Sequence, residues 1–166
     1  DFEIIEDLIL IFEKGKVVSA KAKVGQETLD EILSQDEGMQ FIGELAFGTN
    51  PHIRRHLINA LLVEKINGSF HIALGSSYEM KEYKGEKVNI DNGNRSANNG
   101  HWDIATLLRG MNSKIYLDGK LLQKNGVWVT EEGQEDKKLA VLNHGWAALP
   151  VESRPPWFRA KFPKGY

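Results

Sequence analysis

The stretch Phe70-His71-Ile72-Ala73-Leu74 places one histidine among four apolar residues and predicts a buried β-strand. A second apolar run, Phe41-Ile42-Gly43-Glu44-Leu45-Ala46-Phe47, carries a single carboxylate in the same manner. Burial of a lone carboxylate costs several kcal/mol unless the group is paired or bound to a metal. Each run therefore brings one titratable side chain into apolar surroundings, and both side chains are candidates for a functional site.

A third strand candidate carries His101 and Asp103 two positions apart. Residues i and i+2 of a strand point to the same face, so this nitrogen and this carboxylate face one point in space, with Trp102 facing away. Together with Glu44 and His71, they form a ligand set without cysteine. Such a set is typical of catalytic zinc, cobalt, manganese or iron rather than of structural zinc. The four residues predict a metal site.

Each of these signals also has an ordinary structural explanation. His101 can bond to Asp103 within a strand, and His71 can be a core histidine whose hydrogen bonds are satisfied. Glu44 can pair with an arginine at position 54 or 55. Taken singly, each residue favours the structural explanation. Their joint occurrence in one small domain favours a site.

The composition excludes several classes of protein. The 166 residues carry 21 basic and 23 acidic side chains, and this balance indicates neither a nucleic-acid nor a membrane partner. The absence of cysteine excludes a disulfide scaffold and a cysteine nucleophile. No apolar run approaches the roughly 20 residues that span a bilayer, and the chain does not begin like a signal peptide. We therefore expect a cytoplasmic protein. Since it lacks an initiator methionine, we also expect a fragment of something longer.

The pattern of apolar and turn residues predicts an α+β fold. We expect a mixed, mostly antiparallel β-sheet or barrel-like domain with a few short helices. Outside the three strands above, the predicted elements are a hairpin over Glu3–Val24, helices over Gln26–Asp36 and Ile53–Ile66, and a closing meander over 114–130. Residues 75–100 form a long polar loop region, and loops of that length are usually functional or mobile.

The elements G-E, H-x-A-L-G-x-x-Y and H-x-D follow one another along the chain and together resemble the thermophilic metallo-aminopeptidase family. That family includes the leucyl aminopeptidase-like aminopeptidases of T and S type. The spacings also suit it, with 27 residues from Glu44 to His71, seven from His71 to Tyr78, and 30 from His71 to His101. The resemblance covers about residues 1–130, and the combined motif is far more specific than any of its parts.

This resemblance implies a metal-dependent aminopeptidase that hydrolyses N-terminal peptide bonds through a metal-activated water in a two-metal site. Glu44, His71, His101 and Asp103 would be ligands of zinc, cobalt or manganese. Tyr78 would be the catalytic tyrosine near the scissile carbonyl, and Glu44 would also be catalytic. Because family members are dimers with the active site in the C-terminal domain, the resemblance implies a peptide substrate and a homodimer.

By the same resemblance, residues 1–130 would form most of that C-terminal catalytic domain. Residues 131–166 would add a charged spacer and an extended tail that contains aromatic residues and proline. The family has another metal-binding glutamate in a P-x-x-E-V-F-like motif, which precedes the opening hairpin and does not occur in this chain. We therefore expect this fragment alone to be weakly active or inactive.

Two alternatives stay open from the sequence. The Gly48–Pro51 segment resembles a divergent branch of the family that contains an iron-dependent ring-cleaving dioxygenase. That enzyme holds one Fe(II) with two histidines and one carboxylate, and His71, His101 and Asp103 alone would complete such a triad. The second alternative is a non-catalytic metal-binding domain that keeps the fold.

Overall fold

The computed structural model describes residues 4–53, 59–78, 82–88, 91–135 and 138–161. The described strands are β1 (Ile9–Glu13), β2 (Lys16–Lys21), β3 (Ile42–Phe47), β4 (Ser69–Gly75), β5 (Glu82–Tyr83), β6 (Glu86–Lys87), β7 (His101–Leu107), β8 (Lys114–Leu117), β9 (Lys120–Lys124) and β10 (Val127–Trp128). The described helices are α1 (Gln26–Ser34), α2 (Ala60–Val63), α3 (Ala140–His144) and α4 (Pro156–Lys161). None of these helices is both long and apolar enough to cross a membrane.

The chain forms two compact units. Unit 1 comprises residues 1–46 and 72–104, and unit 2 comprises residues 47–71 and 105–166. The division falls within β3, β4 and β7, each of which has residues in both units. The family-domain boundary near residue 130 that the sequence indicates stays a prediction.

The predicted hairpin opens unit 1. Strands β1 and β2 pair antiparallel, and Lys14 and Gly15 connect them with φ angles of 51° and 83°. Two successive positive φ values are typical of the type I′ turn, whose twist matches that of the flanking strands. The hairpin is joined to β3 because the N–H of Ile42 donates to the carbonyl of Gly15 at 2.9 Å.

Helix α1 ends two residues before the predicted limit because Asp36 is extended, with φ −165°. The Asp36 side chain caps the following 3₁₀ turn, Glu37–Gln40, by accepting from the N–H of Met39. Met39 is buried in unit 1 with apolar residues of α1 and β4, namely Leu29, Ile32, Ile72, Ala73 and Leu74. The capping carboxylate thus fixes the turn that places Met39 in this core.

The capping interaction also predicts an acid dependence of stability. The hydroxyl of Ser96 and the N–H groups of Met39 and Ala97 donate to Asp36 and lower its pKa below the usual 3.8. A lowered folded-state pKa stabilises the fold above the unfolded value, and this stability is lost as the pH falls through the folded pKa. We expect the free energy of unfolding of the wild type to exceed that of Asp36→Asn at neutral pH.

Urea titrations of both proteins at a series of pH values measure this difference. It should be constant above about pH 5 and should shrink as the pH falls below 3.8. A difference that stays the same down to about pH 2.5, or that grows as the pH falls, would contradict the role assigned to the Asp36 carboxylate.

Strands β3, β4 and β7 form a three-stranded sheet in the order β3-β4-β7. Both pairs are antiparallel, as four backbone hydrogen bonds at the ends of the strands indicate: Gly75 N to Phe41 O, Gly48 N to Ser69 O, Ser76 N to Gly100 O, and Leu108 N to Gly68 O. The three strands that the sequence predicts around Glu44, His71 and His101 are therefore confirmed.

Unit 2 contains the predicted closing meander, in which β9 pairs with both β8 and β10. The turns at Asp118-Gly119 and Asn125-Gly126 both have positive φ values, as type I′ turns require. The ring of Phe47 lies 5.4 Å from that of Phe70 and 5.2 Å from that of Trp128, between ring centroids. These three side chains are partly buried, and the buried apolar residues of this unit are Ile66, Leu108, Val129 and Phe158.

Three secondary-structure expectations need correction. The C-terminal segment is not extended throughout, because it contains the short helices α3 and α4. The long polar loop contains the small β5-β6 hairpin, whose turn is at Lys84-Gly85. The helix predicted over Ile53–Ile66 is shorter in its described part, where α2 covers only Ala60–Val63. Residues 54–58 lie outside the described residues.

The α+β class with antiparallel sheets and short helices is confirmed. The strands described here form open sheets of two or three strands, and no barrel-like closure is found among them. The three-stranded sheet carries the predicted site residues: His101 and Asp103 lie at the start of β7, and Glu44 lies on β3.

Candidate metal site

Glu44, His101 and Asp103 converge in unit 1. The Nε2 atom of His101 lies 3.3 Å from Oδ1 of Asp103 and 3.6 Å from Oε2 of Glu44. One ligand atom from each residue lies within 4.8 Å of the other two. The contact within β7 follows the i, i+2 alternation that the sequence indicates.

Glu44 reaches this point from a strand that is not adjacent to β7. Strands two positions apart in a sheet are separated by about 9.6 Å, twice the ordinary spacing. The hydrogen bond from Ser76 N to Gly100 O sets a register in which Gly75 is opposite His101 and Ala73 is opposite Asp103. Since the strand between them carries these two small residues, the longer side chains can meet above it.

A backbone carbonyl fixes the orientation of the His101 ring. Its Nδ1 lies 2.6 Å from the carbonyl oxygen of Ser76. A carbonyl oxygen only accepts hydrogen bonds, so Nδ1 carries the proton and Nε2 of the neutral ring presents a lone pair. That lone pair faces the carboxylates of Glu44 and Asp103. Metal-binding histidines are held in the same manner, with the other ring nitrogen donating to a carbonyl or a carboxylate.

The donor set of this cluster suits a divalent cation. Two carboxylates and one imidazole nitrogen converge on one point, and this combination of oxygen and nitrogen donors is one that divalent ions bind. The side chains of Glu44, His101 and Asp103 are 27%, 31% and 32% exposed, so an ion and its water ligands could reach them from solvent. Nitrogen and oxygen donors of this kind fit zinc, cobalt, manganese or iron.

Burial differs between the two residues that the sequence places in apolar runs. His71 is buried, at 2% exposure, as expected for its strand. Glu44 is only half-buried, because β3 lies at the edge of its three-stranded sheet. Its possible pairing with an arginine at 54 or 55 falls outside the described residues.

His71 is assigned to unit 2, on the part of β4 that precedes Ile72. It is not a member of the cluster of Glu44, His101 and Asp103 found among the described residues. Its role as a metal ligand therefore stays a prediction from the sequence.

A cleft of about 300 Å³ opens beside His101. Its lining residues are Ser76, Ser77, Tyr78, Arg95, Asn99 and His101. Tyr78 is 81% exposed, so its hydroxyl group is accessible to a molecule in the cleft. The predicted catalytic tyrosine and the cluster histidine thus line the same cavity.

Sequence reasoning did not identify Arg95 and Asn99 as cleft residues. They belong to the polar loop over residues 75–100, and no motif marks them within it. The length of that loop was the signal that could have directed attention to them. The carbonyl of Ser76 was also missed, because any residue type can supply a backbone acceptor.

Comparison with known proteins places this arrangement in a family. The family of thermophilic metalloproteases, M29, matches residues 2–134. Aminopeptidase AmpS of Bacillus subtilis is 33% identical over 137 residues, which cover 75% of this chain and 32% of that protein. Aminopeptidase T of Thermus thermophilus is 29% identical over 133 residues, which cover 76% of this chain and 32% of that protein.

The fold agrees with these relationships. The solved structure of wild-type AmpT from Thermus thermophilus matches with a TM-score of 0.53 and 28% sequence identity, over 76% of this chain and 32% of that one. The chain spans about a third of the length of the relatives named here. On the extent of the family match and the identity to its relatives, the chain belongs to the thermophilic metalloprotease family M29.

Proposed function

We propose that this chain is the metal-holding part of an aminopeptidase that removes N-terminal residues from peptides. The convergence of Glu44, His101 and Asp103 carries this proposal, because it gathers two carboxylates and an oriented imidazole beside an open cleft. Membership of a metalloprotease family supports a divalent metal. The names of the relatives support the removal of N-terminal residues.

In this proposal Glu44, His101 and Asp103 hold metal, and His71 is a further ligand of a two-metal site. Zinc, cobalt and manganese are the candidate ions. When bound, a metal pair supplies a water of lowered pKa and polarises the scissile carbonyl. The carboxylate of Glu44, which is partly exposed to solvent, has the additional role of orienting the attacking water.

The cleft residues would bind and polarise the peptide. The phenol hydroxyl of Tyr78 would donate a hydrogen bond to the carbonyl oxygen as negative charge develops on it. The guanidinium of Arg95 and the amide of Asn99 would hold the peptide on the far side of the scissile bond, where carbonyl oxygens or a terminal carboxylate are available. A homodimer and a cytoplasmic location are further predictions of this proposal.

The comparisons favour this reading over the iron-dependent dioxygenase, because the relatives named above are aminopeptidases. The two functions can be separated with the natural full-length protein. We expect it to hydrolyse amino-acid arylamides with zinc, cobalt or manganese, and we expect His101→Ala to abolish this hydrolysis. The control is Ser113→Ala, which removes a hydroxyl bonded to the carbonyl of Leu108 at 2.9 Å in unit 2.

Oxygen consumption with Fe(II) and a ring substrate, without hydrolysis of arylamides, would contradict the proposal. Activity in neither assay, together with identical metal content in the wild type and His101→Ala, would indicate the non-catalytic alternative. By the sequence argument, the chain of 166 residues alone should be at most weakly active.

A further inference from the structure

Another carboxylate of unit 1, that of Asp36, is bonded to the loop that leads into β7. Its Oδ2 atom accepts from the hydroxyl of Ser96 at 2.6 Å and from the N–H of Ala97 at 3.1 Å. Its Oδ1 atom accepts from the N–H of Met39 at 3.2 Å. One side chain therefore joins the turn after α1 to the loop that precedes His101.

Ser96 extends this connection towards His101. Its hydroxyl oxygen accepts from the N–H of Gly100 at 3.0 Å, so the same hydroxyl donates to Asp36 and accepts from the residue adjacent to His101. Its backbone N–H donates to the side-chain oxygen of Ser76 at 3.1 Å. Ser96 is buried, at 7% exposure, where a hydrogen bond competes little with water.

Ser76 completes the connection to the imidazole. Its N–H donates to the carbonyl of Gly100 at 2.7 Å, and its own carbonyl accepts from Nδ1 of His101 at 2.6 Å. We call Asp36, Ser96, Ser76 and Gly100 the Asp36–Ser96 network. It holds both the peptide that precedes His101 and the carbonyl that orients its ring.

Close backbone packing leaves this network little freedom. A Cβ atom added at Gly38 would overlap the backbone of Arg95 and Ser96. A Cβ atom at Gly100 would lie 2.8 Å from the hydroxyl oxygen of Ser96 and 2.5 Å from the sulfur of Met39. The loop therefore rests directly on the turn after α1, and the position of Ser96 is tightly determined.

We propose that Ser96, held by Asp36, is a positioning residue that keeps the Nε2 atom of His101 directed at Glu44 and Asp103. This inference rests on the proposed function, since it concerns how the ligand set of that function is held. Ser96 lies outside the set of presumed ligands and acts through Gly100 and Ser76.

Loss of the Ser96 hydroxyl has a defined consequence. Gly100 N–H loses its acceptor and Asp36 loses its side-chain donor, so the peptide before His101 and the Ser76 carbonyl are less restrained. The imidazole then samples more ring orientations and both neutral tautomers. Partners that orient a metal-binding histidine typically contribute roughly 10- to 100-fold to metal affinity. Because Ser96 acts one step further away, we expect an effect of about tenfold.

The test compares Ser96→Ala, Ser96→Thr and Ser113→Ala with the wild type, each confirmed as folded by circular dichroism. Co²⁺ titration followed by visible absorption measures affinity and coordination geometry. We expect Ser96→Ala to bind Co²⁺ about tenfold more weakly with an altered spectrum. Ser96→Thr, which keeps the hydroxyl, should restore both properties. Ser113→Ala also loses a serine hydroxyl, in this case one that donates to the backbone carbonyl of Leu108, and should bind as the wild type does.

A second measurement needs no metal. The ¹⁵N chemical shifts of the histidine rings report which nitrogen carries the proton, and His101→Ala identifies the resonance. We expect the Nδ1–H form of His101 in the wild type and a mixture of tautomers in Ser96→Ala. Asp36→Asn should also populate both tautomers, but with a smaller change than Ser96→Ala. If Ser96→Ala does not fold, the Asp36→Asn variant provides the test in its place.

Two results would overturn the positioning role of Ser96. One is Co²⁺ affinity and a His101 tautomer in Ser96→Ala that are the same as in the wild type. The other is an equal loss of affinity in Ser113→Ala, which would indicate a general effect of lower stability. If the wild type binds no Co²⁺ but its His101 tautomer depends on Ser96, the positioning role holds and the proposed metal function fails.

Discussion

Replacement of Asp103 by asparagine is expected to weaken the binding of zinc or cobalt by about 100-fold or more. Loss of a residue that only orients a metal ligand costs up to about 100-fold in affinity, and loss of a ligand itself should cost at least as much. The amide has nearly the size of the carboxylate, so packing on β7 should change little. It lacks the negative charge that attracts a divalent ion beside Glu44 and His101. Isothermal titration calorimetry with Zn²⁺, on protein from which metal has been removed, measures the change in affinity directly.

Asp118→Asn is the matched control for this substitution. Asp118 has a φ of 49° in a hairpin turn of unit 2, a conformation that asparagine adopts equally well. The Asp118→Asn substitution removes one carboxylate without destabilising the turn and should leave Zn²⁺ affinity unchanged. If Asp103→Asn also binds Zn²⁺ as the wild type does, Asp103 is not a ligand.

Replacement of Gly43 by alanine is expected to destabilise unit 1 by about 3 kcal/mol, the upper part of the range for overpacking. A Cβ atom there would overlap the carbonyl oxygen of Gly75 on the neighbouring strand. The carbonyl belongs to the backbone and the position of the Cβ is fixed by the backbone, so no side-chain rotation can relieve the overlap, and β3 and β4 must separate. Because Glu44 follows Gly43 directly, the substitution should also weaken metal binding. Chemical denaturation and Zn²⁺ titration measure the two effects.

Gly85→Ala separates steric overlap from the general effect of adding a methyl group to a glycine. Among the described residues beyond its two chain neighbours, no atom lies within 4 Å of the added Cβ, although the φ of 85° carries its own conformational cost. We expect a loss of roughly 1 kcal/mol, with normal metal affinity. If Gly43→Ala is no less stable than Gly85→Ala, the two strands do not approach as closely as described.

The convergence of His101 and Asp103 could be predicted from the sequence because strand alternation is a local property. The contact of Glu44 with His101 was harder to predict, since it spans an intervening strand. The motif identified it as a candidate, but the small residues Ala73 and Gly75 make the contact possible. Its exposure was misjudged because apolar neighbours along a chain do not show that a strand lies at a sheet edge.

The hydrogen bonds that orient His101 could not be predicted in the same way. The decisive acceptor is the carbonyl of Ser76, which every residue type carries. Asp36 and Ser96 are 60 residues apart in sequence, and both belong to polar segments where such residues are common. Nothing in their spacing distinguishes a bonded pair from two solvated side chains. Three-dimensional information was required to connect them with the site.

The most direct test of the metal site is the metal content per chain, measured by elemental analysis on untagged protein purified without chelator. We predict about two ions of zinc, cobalt or manganese in the natural full-length protein. We predict fewer ions in the chain of 166 residues, and a further loss in Asp103→Asn but not in Asp118→Asn. A single iron in both lengths of protein, or no metal in either, would contradict a two-metal aminopeptidase site.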